Sequence, residues 1–149
     1  MTSGDMTATD ALDTLARTLW GEARGEGEAG MIAVAAVIRN RIDVSAAHGG
    51  RHWWGFDWLS VCRAKAQFSC WNPGDPNRAK LLAVDDGDAA FRLAKQIAAD
   101  AIAGRITDPT FGATSYKAAA TPWPYAWGHF RQPLVEIGRH AFYNLSQEP

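Results

Sequence analysis

The run Met31-Ile32-Ala33-Val34-Ala35-Ala36-Val37-Ile38 carries no polar side chain over about two turns of helix. A helix that is apolar all round has no face to give to water and has to lie inside a core. The rest of the chain is therefore expected to wrap around it. This central helix reads from about Glu28 to Ile42 and is closed by Arg39, Asn40 and Arg41. A preceding helix is expected from a Thr9/Asp10 cap to about Arg24, with its stripe on Leu12, Leu15 and Leu19 and its stop at Gly25 and Gly27. A third firm helix reads from an Asp86/Asp88 cap to Ala103, with Phe91, Ala94, Ile97, Ala98, Ala101 and Ile102 on one side and Gly104 as its stop.

Between these lie weaker signals. Residues 44 to 57 read as a loop. Trp58 to Lys65 and Asn77 to Val84 read as short helices. Gln67-Phe68-Ser69-Cys70-Trp71 alternates like a strand or hairpin edge and ends in the turn-rich Asn72-Pro73-Gly74-Asp75-Pro76. After Pro109 the candidate strands are Thr114 to Lys117 and Glu136 to Tyr143. The expectation is a mainly helical α+β domain with a small β element. Residues 1–9 read as a short disordered lead and 10–149 as one domain, since 149 residues suffice for one core.

Several function classes are disfavoured. The net charge is -1, which gives no electrostatic case for nucleic acid. No apolar run reaches a membrane span. The polar start, Met1 to Thr9, lacks the pattern of a secretory signal. His48 and His52 have the i, i+4 spacing of a metal pair. They flank Gly49-Gly50, however, and no Glu follows in a zinc-enzyme pattern, so no metal and no cofactor are expected. Cys62 and Cys70 are too few for a zinc site, and a hairpin between them leaves a disulfide open.

Glu22 is the candidate for chemistry. Continuing the spacing of Leu12, Leu15 and Leu19 lands on Glu22 and then Glu26. A carboxylate on the buried stripe is costly unless it is paired or protonated. A carboxyl that keeps its proton is what a general acid requires. An ion pair with Arg17 or Arg24 would account for the placement without any chemistry.

Four segments resemble the SleB-type cell-wall hydrolases. They are Leu15-Ala16-Arg17-Thr18-Leu19-Trp20-Gly21-Glu22-Ala23-Arg24-Gly25-Glu26, Ala33-Val34-Ala35-Ala36-Val37-Ile38-Arg39-Asn40-Arg41, Gln67-Phe68-Ser69, and Asp108-Pro109-Thr110-Phe111-Gly112-Ala113-Thr114-Ser115-Tyr116. Ile137-Gly138-Arg139-His140-Ala141-Phe142-Tyr143 stands behind the last. The resemblance spans about residues 12 to 144. It implies a lysozyme-like, lytic transglycosylase-like single domain that cuts the glycan strand of peptidoglycan between N-acetylmuramic acid and N-acetylglucosamine.

On that resemblance Glu22 is the catalytic residue, and Glu26, Gln67, Phe68, Ser69 and Tyr116 are candidate substrate-binding residues. Phe68 taken alone is better placed in the core. Relatives often carry His where Ser115 and Lys117 stand, which removes any His-dependent role there. One glutamate can serve as acid and then base when the sugar's own 6-hydroxyl replaces water, whereas plain hydrolysis commonly uses two carboxylates. Glu26 as a second carboxylate keeps a muramidase reading open, and the Trp-rich loops keep open a catalytically silent glycan-binding module. The chain is rich in Trp, with seven. Most of these rings suit the core, yet Trp53, Trp54 and Trp71 near one wall and Trp123, Tyr125 and Trp127 near the other lie in loops that could rim a cleft. The expected layout is a cleft past Glu22 with Gln67 and Tyr116 on its walls. A monomer is expected, made without a leader and released to the wall like a phage or gene-transfer-agent lysis protein.

Overall fold

The computed structural model describes residues 3–50, 54–64 and 67–146, with side chains from residue 10 onward. Five helices are present among them: α1 (Ser3–Ala23), α2 (Gly27–Ala47), α3 (Trp58–Arg63), α4 (Pro76–Ala83) and α5 (Ala89–Ile102). Three strands follow, β1 (Ser115–Ala118), β2 (Val135–Ile137) and β3 (His140–Tyr143). The apolar run behaves as its pattern demands. Met31 and every residue from Ala33 to Ile38 are buried. Helices α1 and α5 pack against α2 and against each other. Leu15 and Leu19 of α1 meet Met31, Val34 and Ile38 of α2 and Ala94, Ile97 and Ala98 of α5 in one cluster.

Aspartates start the later helices. Asp57 forms a reciprocal cap with Ser60 at α3. Asp75 accepts from the Asn77 amide ahead of α4, where Pro76 occupies the first turn. Asp88 accepts from the Phe91 amide at α5 and from the Trp20 indole. Such caps satisfy amides that a helix start leaves without a partner.

The sheet is antiparallel in the order β1-β3-β2. Tyr116 stands opposite Phe142, and Val135 stands opposite Phe142 on the other side. That face packs on Ala33 and Val37 of α2 together with Ala113. The opposite face presents Ala141 and Tyr143 to Trp54 and Leu145, with Val44, Trp123 and Trp127 closing the cluster. Helix α2 therefore supports the helical bundle on one side and the sheet on the other.

Four expectations need correction. Helix α1 begins at Ser3, so residues 3–9 belong to a helix and Asp10 lies inside it rather than at its cap. Helix α2 runs on to Ala47, because Ser45 is buried and Val44 packs against the tryptophan cluster. The 67–71 segment is a turn followed by a 3-10 turn, Ser69–Trp71. Its alternating burial, with Phe68 and Cys70 inside and Gln67 and Ser69 outside, imitates a strand. The backbone closes on itself instead, Trp71 N–H donating to Phe68 O at 3.0 Å and Asn72 N–H to Ser69 O at 2.9 Å. Finally, the 136–143 stretch is not one strand. Gly138, at φ +58°, turns it into a hairpin between β2 and β3.

Candidate active site

Glu22 sits near the end of α1, half-buried. The Tyr116 hydroxyl donates to its Oε1 at 2.6 Å across 94 positions of sequence. Antiparallel pairing with β3 holds Tyr116 in register, and its ring packs against Phe142 and edge-on against His140. Burial, and then the Glu22 charge and the bond to it, push the Tyr116 hydroxyl well above its usual range, so it remains a donor.

A second group reaches Glu22 from the 3-10 turn. The Cys70 thiol is buried beside the carboxylate, and burial and then the Glu22 charge push it upward. It can sit there because position 21 has no side chain. A Cβ on Gly21 would come 2.9 Å from Cys70 Cβ and 3.0 Å from its Sγ. Cys62 lies on α3 and is also buried, pushed up to about 12 by burial. Both cysteines are free thiols, so the disulfide left open by the sequence is not formed.

Behind these groups lies a buried cation. Arg41 is 4% exposed, and its guanidinium lies 5.2 Å from the Trp54 ring centroid and 5.3 Å from that of Phe68. Its Nε donates to Thr114 O at 2.6 Å and its Nη1 to Gln67 Oε1 at 3.4 Å. Burial lowers it to about 10, against the opposing influence of Tyr116, Cys62 and Glu22. It therefore stays charged near neutral pH. Among the described residues no carboxylate is within salt-bridge distance of it. Carbonyl oxygens and aromatic faces do the compensating.

The other candidate residues divide. Gln67 and Ser69 are exposed, and Gln67 is tied to the site through Arg41. Phe68 is 2% exposed and belongs to the helical core, so its ring is packed inside rather than presented to a substrate. Glu26 is half-buried in the 3-10 turn between α1 and α2. Its carboxyl packs on Gly138 of the hairpin, where a Cβ would come within 2.3 Å of Oε2. Trp54 is buried, Trp71 donates to Thr18 Oγ1 at 2.9 Å, and Trp123 and Trp127 pack edge-on against Tyr143 on the far face of the sheet. These four rings pack in or against the core clusters. Trp53 and His52 lie outside the described residues. Among those described, no cluster of three or more His, Cys, Asp or Glu side chains could hold a metal.

A family model described as Cell Wall Hydrolase matches residues 25–143. The chain belongs to the cell wall hydrolase family. Two solved structures are similar over most of the chain. One is the catalytic domain of the germination-specific lytic transglycosylase SleB from Bacillus anthracis, at 25% identity and a TM-score of 0.66, covering 91% of this chain and 94% of that one. The other is the catalytic domain of the Bacillus cereus SleB protein, at 25% identity and a TM-score of 0.65, covering 91% of each. No curated protein sequence matches the chain. The mainly helical, lysozyme-like architecture with a small three-stranded sheet is shared with these structures.

Within this cell wall hydrolase, Glu26, Gln67, Phe68, Ser69 and Tyr116 fall inside the matched span, and Glu22 falls just before its first residue. The sequence reading overlooked Arg41 and Cys70. The signal for Arg41 was present: Val34, Ile38, Arg41 and Ser45 repeat at helical spacing, and all four are buried. Cys70 had no such signal, because its approach to Glu22 depends on a turn that the alternation disguised.

Proposed function

We infer that this protein cleaves the glycan strand of peptidoglycan as a lytic transglycosylase, with Glu22 as the acid and then the base. The observation that carries this is the Tyr116 hydroxyl on Glu22 Oε1 at 2.6 Å. It fixes the rotation of one half-buried carboxyl and leaves a donor ready for the carboxylate formed when the proton departs. Charge-assisted bonds of this kind are the strong ones.

The chemistry then follows. Glu22 gives its proton to the glycosidic oxygen between N-acetylmuramic acid and N-acetylglucosamine, and the C1–O bond breaks toward an oxocarbenium ion. The carboxylate next takes the proton of the muramyl 6-hydroxyl, whose oxygen closes onto C1. The strand is left with a 1,6-anhydro end, and Glu22 is protonated again. The placement of Glu26 against Gly138 supports this single-carboxylate route over one that needs a second carboxylate as base. The substrate lies outside the cytoplasm, so the wall is the site of action.

Gln67 and Ser69 are exposed on the segment that carries Cys70 and are suited to sugar hydroxyl and acetamido groups. Mass spectrometry of digested cell walls tests the reading. Anhydro-muramyl ends, one water lighter than reducing ends, are expected; reducing ends alone would assign the chain to hydrolysis instead.

A further inference from the structure

Arg41 has no task in the reaction just described, yet burying a guanidinium without a carboxylate partner is costly. Its contacts indicate what the cost secures. The Nε bond to Thr114 O fixes the backbone immediately before β1, two residues from Tyr116. The Nη1 bond reaches Gln67 Oε1 on the other wall. Trp54 and Phe68 fix the guanidinium from two sides. One cation thus joins the two segments that carry the candidate substrate contacts.

The direction of the Gln67 bond matters. A guanidinium has donors only, so the amide must turn its carbonyl oxygen toward Arg41. The NH2 of Gln67 is then left pointing away from Arg41, on an exposed residue. We propose that Arg41 is a positioning residue that orients the Gln67 carboxamide as a hydrogen-bond donor, and that this makes the site selective for N-acetylated over N-deacetylated glycan. An acetamido group offers a carbonyl acceptor to that NH2. A free amino group, protonated near neutral pH, offers only donors and repels it.

This rests on the glycan-cleaving reading above and adds to it the atom that reads the substrate. Neither Arg41 nor Gln67 needs to touch the reacting atoms, so the effect falls on KM rather than kcat. A purely structural Arg41 would lower cleavage of both polymers alike.

The test uses strands from one cell-wall preparation, half of them chemically N-deacetylated, and three variants. For the wild type, KM on acetylated strands is expected to be about tenfold lower than on deacetylated strands, the worth of about one hydrogen bond. Arg41→Met is expected to raise KM on acetylated strands by about tenfold with kcat within a few-fold, removing the preference. Arg41→Lys keeps the charge and a donor and is expected to restore part of the preference. Gln67→Glu alters an exposed side chain, pairs with Arg41 and offers no donor; it is expected to abolish the preference even should Arg41→Met fail to fold. Gln67→Glu with the wild-type preference, or a folded Arg41→Met that loses activity on both strands equally, overturns the proposal. A wild type that cleaves both strands equally well overturns it too, while leaving the glycan-cleaving reading standing. A wild type inert on both refutes that reading and this inference with it.

Discussion

Around Met31–Ile38 the helical half is closed mainly by apolar contact, whereas the two segments carrying Gln67 and Tyr116 are tied by a few polar bonds. Leu15, Leu19, Val34 and Ile38 need only their periodicity to find one another. The two segments depend on single atoms: Arg41 Nε on Thr114 O, Arg41 Nη1 on Gln67, Tyr116 Oη on Glu22. The helical half thereby presents a carboxyl on a rigid support, and the polar segments decide what surrounds it. Substitutions in the two regions should therefore fail differently, the first in folding and the second in turnover.

The largest stability effect is expected on the far face of the sheet, which packs like the helical half. Tyr143→Ala empties a site against Trp54, Trp123 and Trp127 and should cost about 3–5 kcal/mol by denaturant titration. Turnover per folded molecule should change little. Next is the seam between the regions. Gly21→Ala places a Cβ 2.9 Å from Cys70 Cβ and 3.2 Å from Leu81 Cδ2. Overpacking there should cost about 1–3 kcal/mol and displace Glu22 as well. Stability and activity measured together should both fall; retained activity would show that the seam can yield without moving Glu22.

Tyr116→Phe keeps the ring against Phe142 and removes only the hydroxyl from Glu22. Turnover should fall about tenfold with stability changed by about 1 kcal/mol or less. Equal turnover would show that the bond is incidental to the reaction.

The smallest effect concerns the thiols. Cys62 is raised from 9.0 to about 12 by burial. Below pH 9 the folded and unfolded chains both hold this proton, and the contribution to stability is complete. As pH rises from 9 toward 12 the unfolded chain releases it first, so stability is lost across that window. Melting temperatures should fall there and fall less in Cys62→Ala. A thiol reagent near neutral pH should find two reactive groups only after unfolding, since both cysteines are buried and free.

Much of the helical half was legible because burial there follows a repeat. Extending the Leu15–Leu19 spacing singles out Glu22 as the candidate, and the same extension from Val34 and Ile38 reaches Arg41. The wall was less legible for a physical reason. Period-two burial over Gln67 to Cys70 arises from a strand or from a tight turn under a core, and only the backbone bonds of Phe68 and Ser69 distinguish them. The hairpin turn at Gly138 was hidden in the same way, because one glycine between apolar residues resembles an interruption in a strand. The tryptophans lie in loops, yet Trp54, Trp123 and Trp127 pack behind the sheet, in line with the expectation that most of the rings suit the core.

The account rests on one carboxyl, so replacing it is the direct test. Glu22→Gln keeps the shape and an oxygen to accept from Tyr116, but it has no proton to give. Release of anhydro-muramyl ends from purified walls, measured by mass spectrometry, is expected to fall about 100-fold or more, with the melting temperature close to that of the wild type. Release within a few-fold of wild type, from a folded variant, would contradict the assignment of Glu22 as acid and base.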